Sequence, residues 1–159
     1  MSDSTDEGVD AATHRRLAIG LFNHVWTLLG LTERTVEQDD EMLHAAHASR
    51  YHWAEATSAG DAERPQRLAI GEWQCARVYS VLGRAEPALH HARRCLELCE
   101  ANEMEPWVIT SAYEAMARAS RVAGDVAGME RFAAMARDAV AELDDEDDRE
   151  VMLRDLATI

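Results

Sequence analysis

The sequence predicts an all-α fold of about seven antiparallel helices, stacked as three helical hairpins plus a C-terminal helix. Three observations lead there. Alanine, leucine, glutamate and arginine dominate, and all are strong helix formers. Only three prolines and eight glycines interrupt 159 residues, too few for a turn-rich β fold. Apolar residues recur at helical spacing between start and stop signals along almost the whole chain. A single domain with a sizeable core is expected, since chains of this length bury roughly 70% of their surface.

Residues 1–11 read as a disordered acidic tail, small and without periodicity, ahead of one helical domain over 12–159. The first helix, about 12–30, carries Leu17, Leu21, Val25 and Leu28 on one stripe and stops at Gly30. The second opens on a capping-box pattern, Thr35 with Gln38, and runs to about Ala56. Residues 58–65 form a loop or first turn, and the third helix then reaches Leu82 before Gly83. A fourth helix covers about 85–101, with Pro87 in its first turn, where a missing amide hydrogen is tolerated. A fifth spans about 105–123 between Pro106 and Gly124, and a sixth about 126–143. The acidic run 144–150 leads into a short seventh helix bearing Val151, Met152 and Leu156, where carboxylates suit the positive end of the helix dipole.

Thirty acidic against sixteen basic residues give a net charge of −14. Nucleic-acid binding is not expected, because phosphate contacts need a basic patch. An anionic membrane surface is disfavoured for the same reason, and no apolar run approaches the ~18 residues of a membrane span. The polar N-terminus lacks the basic start and apolar centre of a signal peptide. Three cysteines make an odd number in no disulfide framework, so a reduced, cytoplasmic protein is expected.

The hairpins repeat. The string RLAIG occurs at 16–20 and again at 67–71, each copy opening a tryptophan-bearing helix that ends in Leu-Gly. Residues 67–98 resemble a tetratricopeptide repeat when Gly83 is set at that family's turn glycine. Cys75 and Ala76 then meet its Leu-Gly pair, Tyr79 its aromatic position, and Ala88, Ala92 and Cys95 its small positions. A second copy fits around Gly124, with Tyr113, Met116, Ala117, Met129, Ala133 and Ala136, so that the two glycines stand 41 residues apart against 34 in the standard repeat. The resemblance implies a right-handed superhelix whose concave groove is lined by the first helix of each hairpin. That groove would present Ile19, Phe22 and Trp26, then Ile70, Trp73 and Arg77, then Ser111, Glu114, Arg118 and Arg121. It implies an interaction module, not an enzyme, that takes a protein or peptide. Arginine forks suit a carboxylate-bearing partner, and tryptophan with arginine is a frequent hot-spot composition. Self-association as a homo-oligomer through an exposed end of the stack fits the same reading.

The segment EMLHAAHASRYHW, residues 41–53, carries the alternative. At 100° per residue Met42, Ala45, Ala46, Ser49, Trp53 and Ala56 share a core face, while Asp40, His44, His47 and Tyr51 fall within about 60° of each other opposite it. His44 and His47 at i, i+3 beside Asp40 could ligate one transition metal ion if another helix supplied a further ligand. His24 is the candidate, at the height of residue 41 in an antiparallel hairpin. A small metal-dependent or ligand-binding enzyme would follow. His91, Cys95 and Cys99 form a second stripe, which coincides with the inner face of the fourth helix and reads as core.

Overall fold

The computed structural model describes residues 8–159, so the first seven residues of the expected tail lie outside the described residues. The described residues form seven helices and no strand: α1 (Ala11–Leu29), α2 (Val36–Ala56), α3 (Arg64–Val81), α4 (Ala85–Ala101), α5 (Pro106–Val122), α6 (Val126–Ala141) and α7 (Glu146–Leu156). None of them is long and apolar enough to cross a membrane.

Local chemistry sets most of the ends. Asp10, placed in the tail by the sequence reading, instead starts α1, its carboxylate accepting the Thr13 amide at 2.6 Å. The Thr35–Gln38 capping box is present at α2, with both reciprocal bonds made. Pro106 occupies the first turn of α5, and Asp125 and Asp145 cap α6 and α7. α3 and α5 end in the same way. Gly83 and Gly124 take φ of +69° and +75°, and the amide after each donates back to the carbonyl five residues earlier, Arg84 to Tyr79 and Asp125 to Ser120. This left-handed turn satisfies carbonyls that the helix leaves free, and glycine adopts it without a Cβ clash. Gly30 caps α1 at an ordinary φ of −76° and needs no such freedom.

Consecutive helices pair as α1/α2, α3/α4 and α5/α6, and neighbouring pairs meet through α2/α3 and α4/α5. The antiparallel register of α1 and α2 is fixed by His14 near His52, Ser49 Oγ donating to Ala18 O, and His24 near Glu41. Where α2 meets α3, an added Cβ on Gly71 would sit 2.7 Å from Arg50 Cγ, so the missing side chain lets Arg50 cross and reach Glu72. α3, α5 and α7 run side by side in one direction. Trp73 meets Glu114 and Ser111 meets Met152, and in both contacts the partners stand 41 residues apart.

Because α5 has α3, α4, α6 and α7 around it, it buries residues on nearly every side. Its buried positions are therefore mostly small: Thr110, Ser111, Ala112, Ala115, Ala117, Ala119 and Ser120. The main core joins Ala69, Ala76, Ala88, Ala92, Cys95 and Ala112 with Val108 and Met116. A second cluster holds α1, α2 and α3 through Val25, Leu28, Met42 and Val78, and a third holds α7 through Val140, Leu143, Met152 and Leu156.

Candidate functional site

All four tryptophans of the chain converge on one side of the molecule. Phe22 and Trp26 of α1 and Trp73 of α3 form a ladder, with ring centroids 6.2 and 5.4 Å apart. Trp107 from the first turn of α5, together with Val151 and Asp155 of α7, closes a hollow of about 420 Å³ over Ile70. A second hollow of about 230 Å³ adjoins it. It shares Phe22, Ile70 and Trp107 and adds Ile19, Arg67 and Trp53, the last from the end of α2. These positions face one another because α1, α3, α5 and α7 present one stripe each to a common groove, to which the end of α2 adds Trp53, while α4 and α6 stand behind.

Charges frame the groove, and most are already matched. At one end Arg15 holds Glu63 with two bonds of 2.6 and 3.0 Å, and Arg67 adds a third at 3.2 Å. These bonds, with Arg15 first, bring the Glu63 carboxyl down to about 2. Both guanidinium groups also sit over the Trp53 ring, at 5.4 and 4.7 Å. In the middle, Glu114 accepts from Trp73 Nε1 at 3.1 Å, Arg77 at 3.0 Å and Arg118 Nε at 2.7 Å.

The sequence reading puts Glu114 and Ser111 on the groove surface. The structure corrects this: both are buried, at 0% and 2% exposure. The cause is α7, which folds along α5 and covers them. Asp155 accepts from Arg77 at 3.2 Å, its backbone carbonyl accepts from Arg118 at 3.0 Å, and Thr158 O accepts from Arg121 at 2.8 Å. Arg77 and Arg118 are thus engaged within the chain and not free to grip a partner's carboxylate. Arg118 and Arg121 also border a separate depression with Ser80, Val81 and Val122, away from the aromatic hollows. Of the ten groove residues expected from sequence, Ile19, Phe22, Trp26, Ile70 and Trp73 line the aromatic hollows, with Arg77 5.9 Å above the Trp26 ring.

The sequence does not place Trp107, Val151 or Asp155 in the groove, and it gives Trp53 to the core face of α2 or, in the metal-site alternative, to the wall of a pocket beside the histidines. A signal existed for two of them. Trp107 lies one helical turn before Ser111, on the same stripe, and the 41-residue offset carries Trp73 to Glu114 and then to Asp155.

The histidine segment divides as its periodicity predicts. Met42, Ala45, Ala46, Ser49 and Trp53 are buried, while Asp40, His44, His47 and Tyr51 are exposed. His24 stands where the hairpin argument puts it, 2.8 Å from Glu41, and shares a shallow hollow with His44. His47 turns away to Tyr79, 2.9 Å from its hydroxyl, and toward the His91 ring. Desolvation and the neighbouring His91 hold His47 below the ordinary imidazole range. His24, Asp40, His44 and His47 are therefore not brought together, and among the described residues no group of three or more His, Cys, Asp or Glu side chains is placed to hold a metal ion.

His91 lies 2.6 Å from Glu72, which also accepts from Arg50 at 2.9 Å. Burial pushes the Glu72 carboxyl up, but these two partners outweigh it and hold it below its ordinary value. This cluster fastens α2, α3 and α4 to one another. The three cysteines are free and buried, and burial pushes the Cys75 thiol up to about 12, which removes its thiolate at neutral pH.

Compared with protein-family models, with curated proteins and with solved structures, the chain matches none of them.

Proposed function

We propose that this chain is a non-enzymatic interaction module, tetratricopeptide-like in its hairpins and superhelical stacking, which holds a protein or peptide partner in the groove lined by α1, α3, α5 and α7. The observation that carries the reading is the convergence of all four tryptophans, with Phe22 and Ile70, on two adjoining open hollows. Phe22, Trp26 and Trp107 are partly buried, and Trp53 and Trp73 back them from the core. Aromatic rings around a cleft are the composition of a binding hot spot, because they offer large apolar area with little rotamer entropy to lose. The repeat reading is supported by the two identical glycine turns at Gly83 and Gly124, and by the 41-residue offset that relates α3 to α5 and α5 to α7. Three unbridged thiols suit a reducing, cytoplasmic setting.

Position-specific photo-cross-linking in cells of the source organism tests the reading. A benzophenone amino acid replaces Ile19, an exposed residue at the edge of one hollow, or Arg93, exposed on α4. The expected result is a discrete adduct from position 19 that disappears when Trp107 is changed to alanine. Adducts from position 93 alone would move the interaction to the opposite surface and sink the groove assignment.

A further inference from the structure

The hollows give the occupant its shape, and the charges on their rim give its sign. This step rests on the groove reading above and names the class of partner. Trp107 borders both hollows, and it also borders a third depression of about 160 Å³, on which Glu105, Asp144, Asp145 and Asp148 converge. Trp107 thus stands between the aromatic hollows and an acidic depression at the N-terminal ends of α5 and α7.

Asp145 is engaged there as the cap of α7, accepting the amides of Asp147 and Asp148. Glu105, Asp144 and Asp148 form no ion pair among the described residues. The nearby cation, Arg149, points at the carbonyls of Leu143 and Asp144 instead of at a carboxylate. Asp145 and Asp148 suit the dipole of α7, and Glu105, at the N-cap of α5, suits the dipole of that helix, so carboxylates from two helix starts border one depression.

Elsewhere the groove's arginines are already engaged, although one net positive charge remains beside Trp53. Arg15 and Arg67 share Glu63, and Arg77 is matched by Glu114 and Asp155. An acidic segment would thus find its arginines engaged and three unpaired carboxylates in its path. A basic segment would find those carboxylates, the Trp107 ring and the field of a chain carrying −14.

We infer that the groove's occupant is a basic amphipathic segment of another protein, with an apolar or aromatic anchor in the tryptophan hollows and a lysine or arginine reaching past Trp107 to Glu105, Asp144 and Asp148. The apolar anchor supplies affinity, and the cationic contact sets orientation and discrimination against acidic segments.

Random dodecamer peptides displayed on phage, panned against the whole chain, test this. Two counter-targets report on the groove: Trp107→Ala, and the uncharged Ile19→Gln, the latter because Trp107 also packs on the core. Peptides retained by the native chain and lost on both counter-targets are expected to carry an apolar anchor flanked by Lys or Arg. Their binding is expected to weaken roughly three- to tenfold in the Glu105→Gln, Asp144→Asn, Asp148→Asn variant, and to weaken in raised salt. A groove-dependent consensus that is acidic or uncharged would overturn the basic assignment and leave the groove standing. No groove-dependent peptide at all would overturn both.

Discussion

Glu114 shows most clearly how one side chain serves packing and site together. It is fully buried, yet it is tolerated there because Trp73, Arg77 and Arg118 supply donors to both of its oxygens. A buried carboxylate without such partners would cost several kcal/mol in desolvation, and so would the two guanidinium groups left behind if it were removed. Glu114→Ala is therefore expected to cost about 3–5 kcal/mol, a fall in Tm of about 10 °C for a chain of this size. Arg121→Ala, at an exposed residue with one bond to a backbone carbonyl, is expected to stay within about 0.5 kcal/mol. Thermal unfolding of the two variants followed by circular dichroism checks the contrast. Equal losses would mean that the Glu114 cluster does not organise the floor of the groove.

At the scale of elements, the chain separates what is written locally from what is not. The seven helices and their ends were legible because capping side chains, first-turn prolines and terminal glycines act within four or five residues of their own position. Thr35 with Gln38, and Gly83 and Gly124, are examples. The burial of α2 was legible for the same reason, since a helix of period 3.6 fixes which residues share a face. The course of α7 was not legible. Its sequence is mostly charged and shows a short apolar stripe, and nothing within it states that it lies on α5 over Glu114. That outcome depends on Arg77, Arg118 and Arg121, which lie 37 or more residues from their partners along the chain. The arginines looked free in the sequence because the groups at the C-terminal end that hold them come from another element, although Arg118 also pairs with Glu114 one turn away on its own helix. The glycine turns carry their own prediction. Gly83→Ala and Gly124→Ala each force a Cβ into a left-handed conformation and are expected to cost roughly 1–2 kcal/mol, by similar amounts at the two sites. Denaturant unfolding of both variants measures this, and a cost at one site only would break the equivalence of the two turns.

For the molecule as a whole, the same helices that form the core also build a lined surface. α1, α3, α5 and α7 each turn one stripe outward, and the rings on those stripes meet because the helices lie side by side. Anions and cations along this surface are largely paired within the chain, apart from the carboxylates beyond Trp107. Whether the aromatic groove binds a partner is directly measurable, because of where the tryptophans lie. Each of the four indole N–H groups gives its own cross-peak in a ¹⁵N spectrum, and all four side chains border the groove. The measurement is a titration of the native chain with the most enriched basic dodecamer. Progressive shifts of the Trp107 and Trp26 indoles are expected, with Trp73 moving less because Glu114 already holds its N–H. Saturable binding that leaves all four indoles unmoved would contradict the groove assignment.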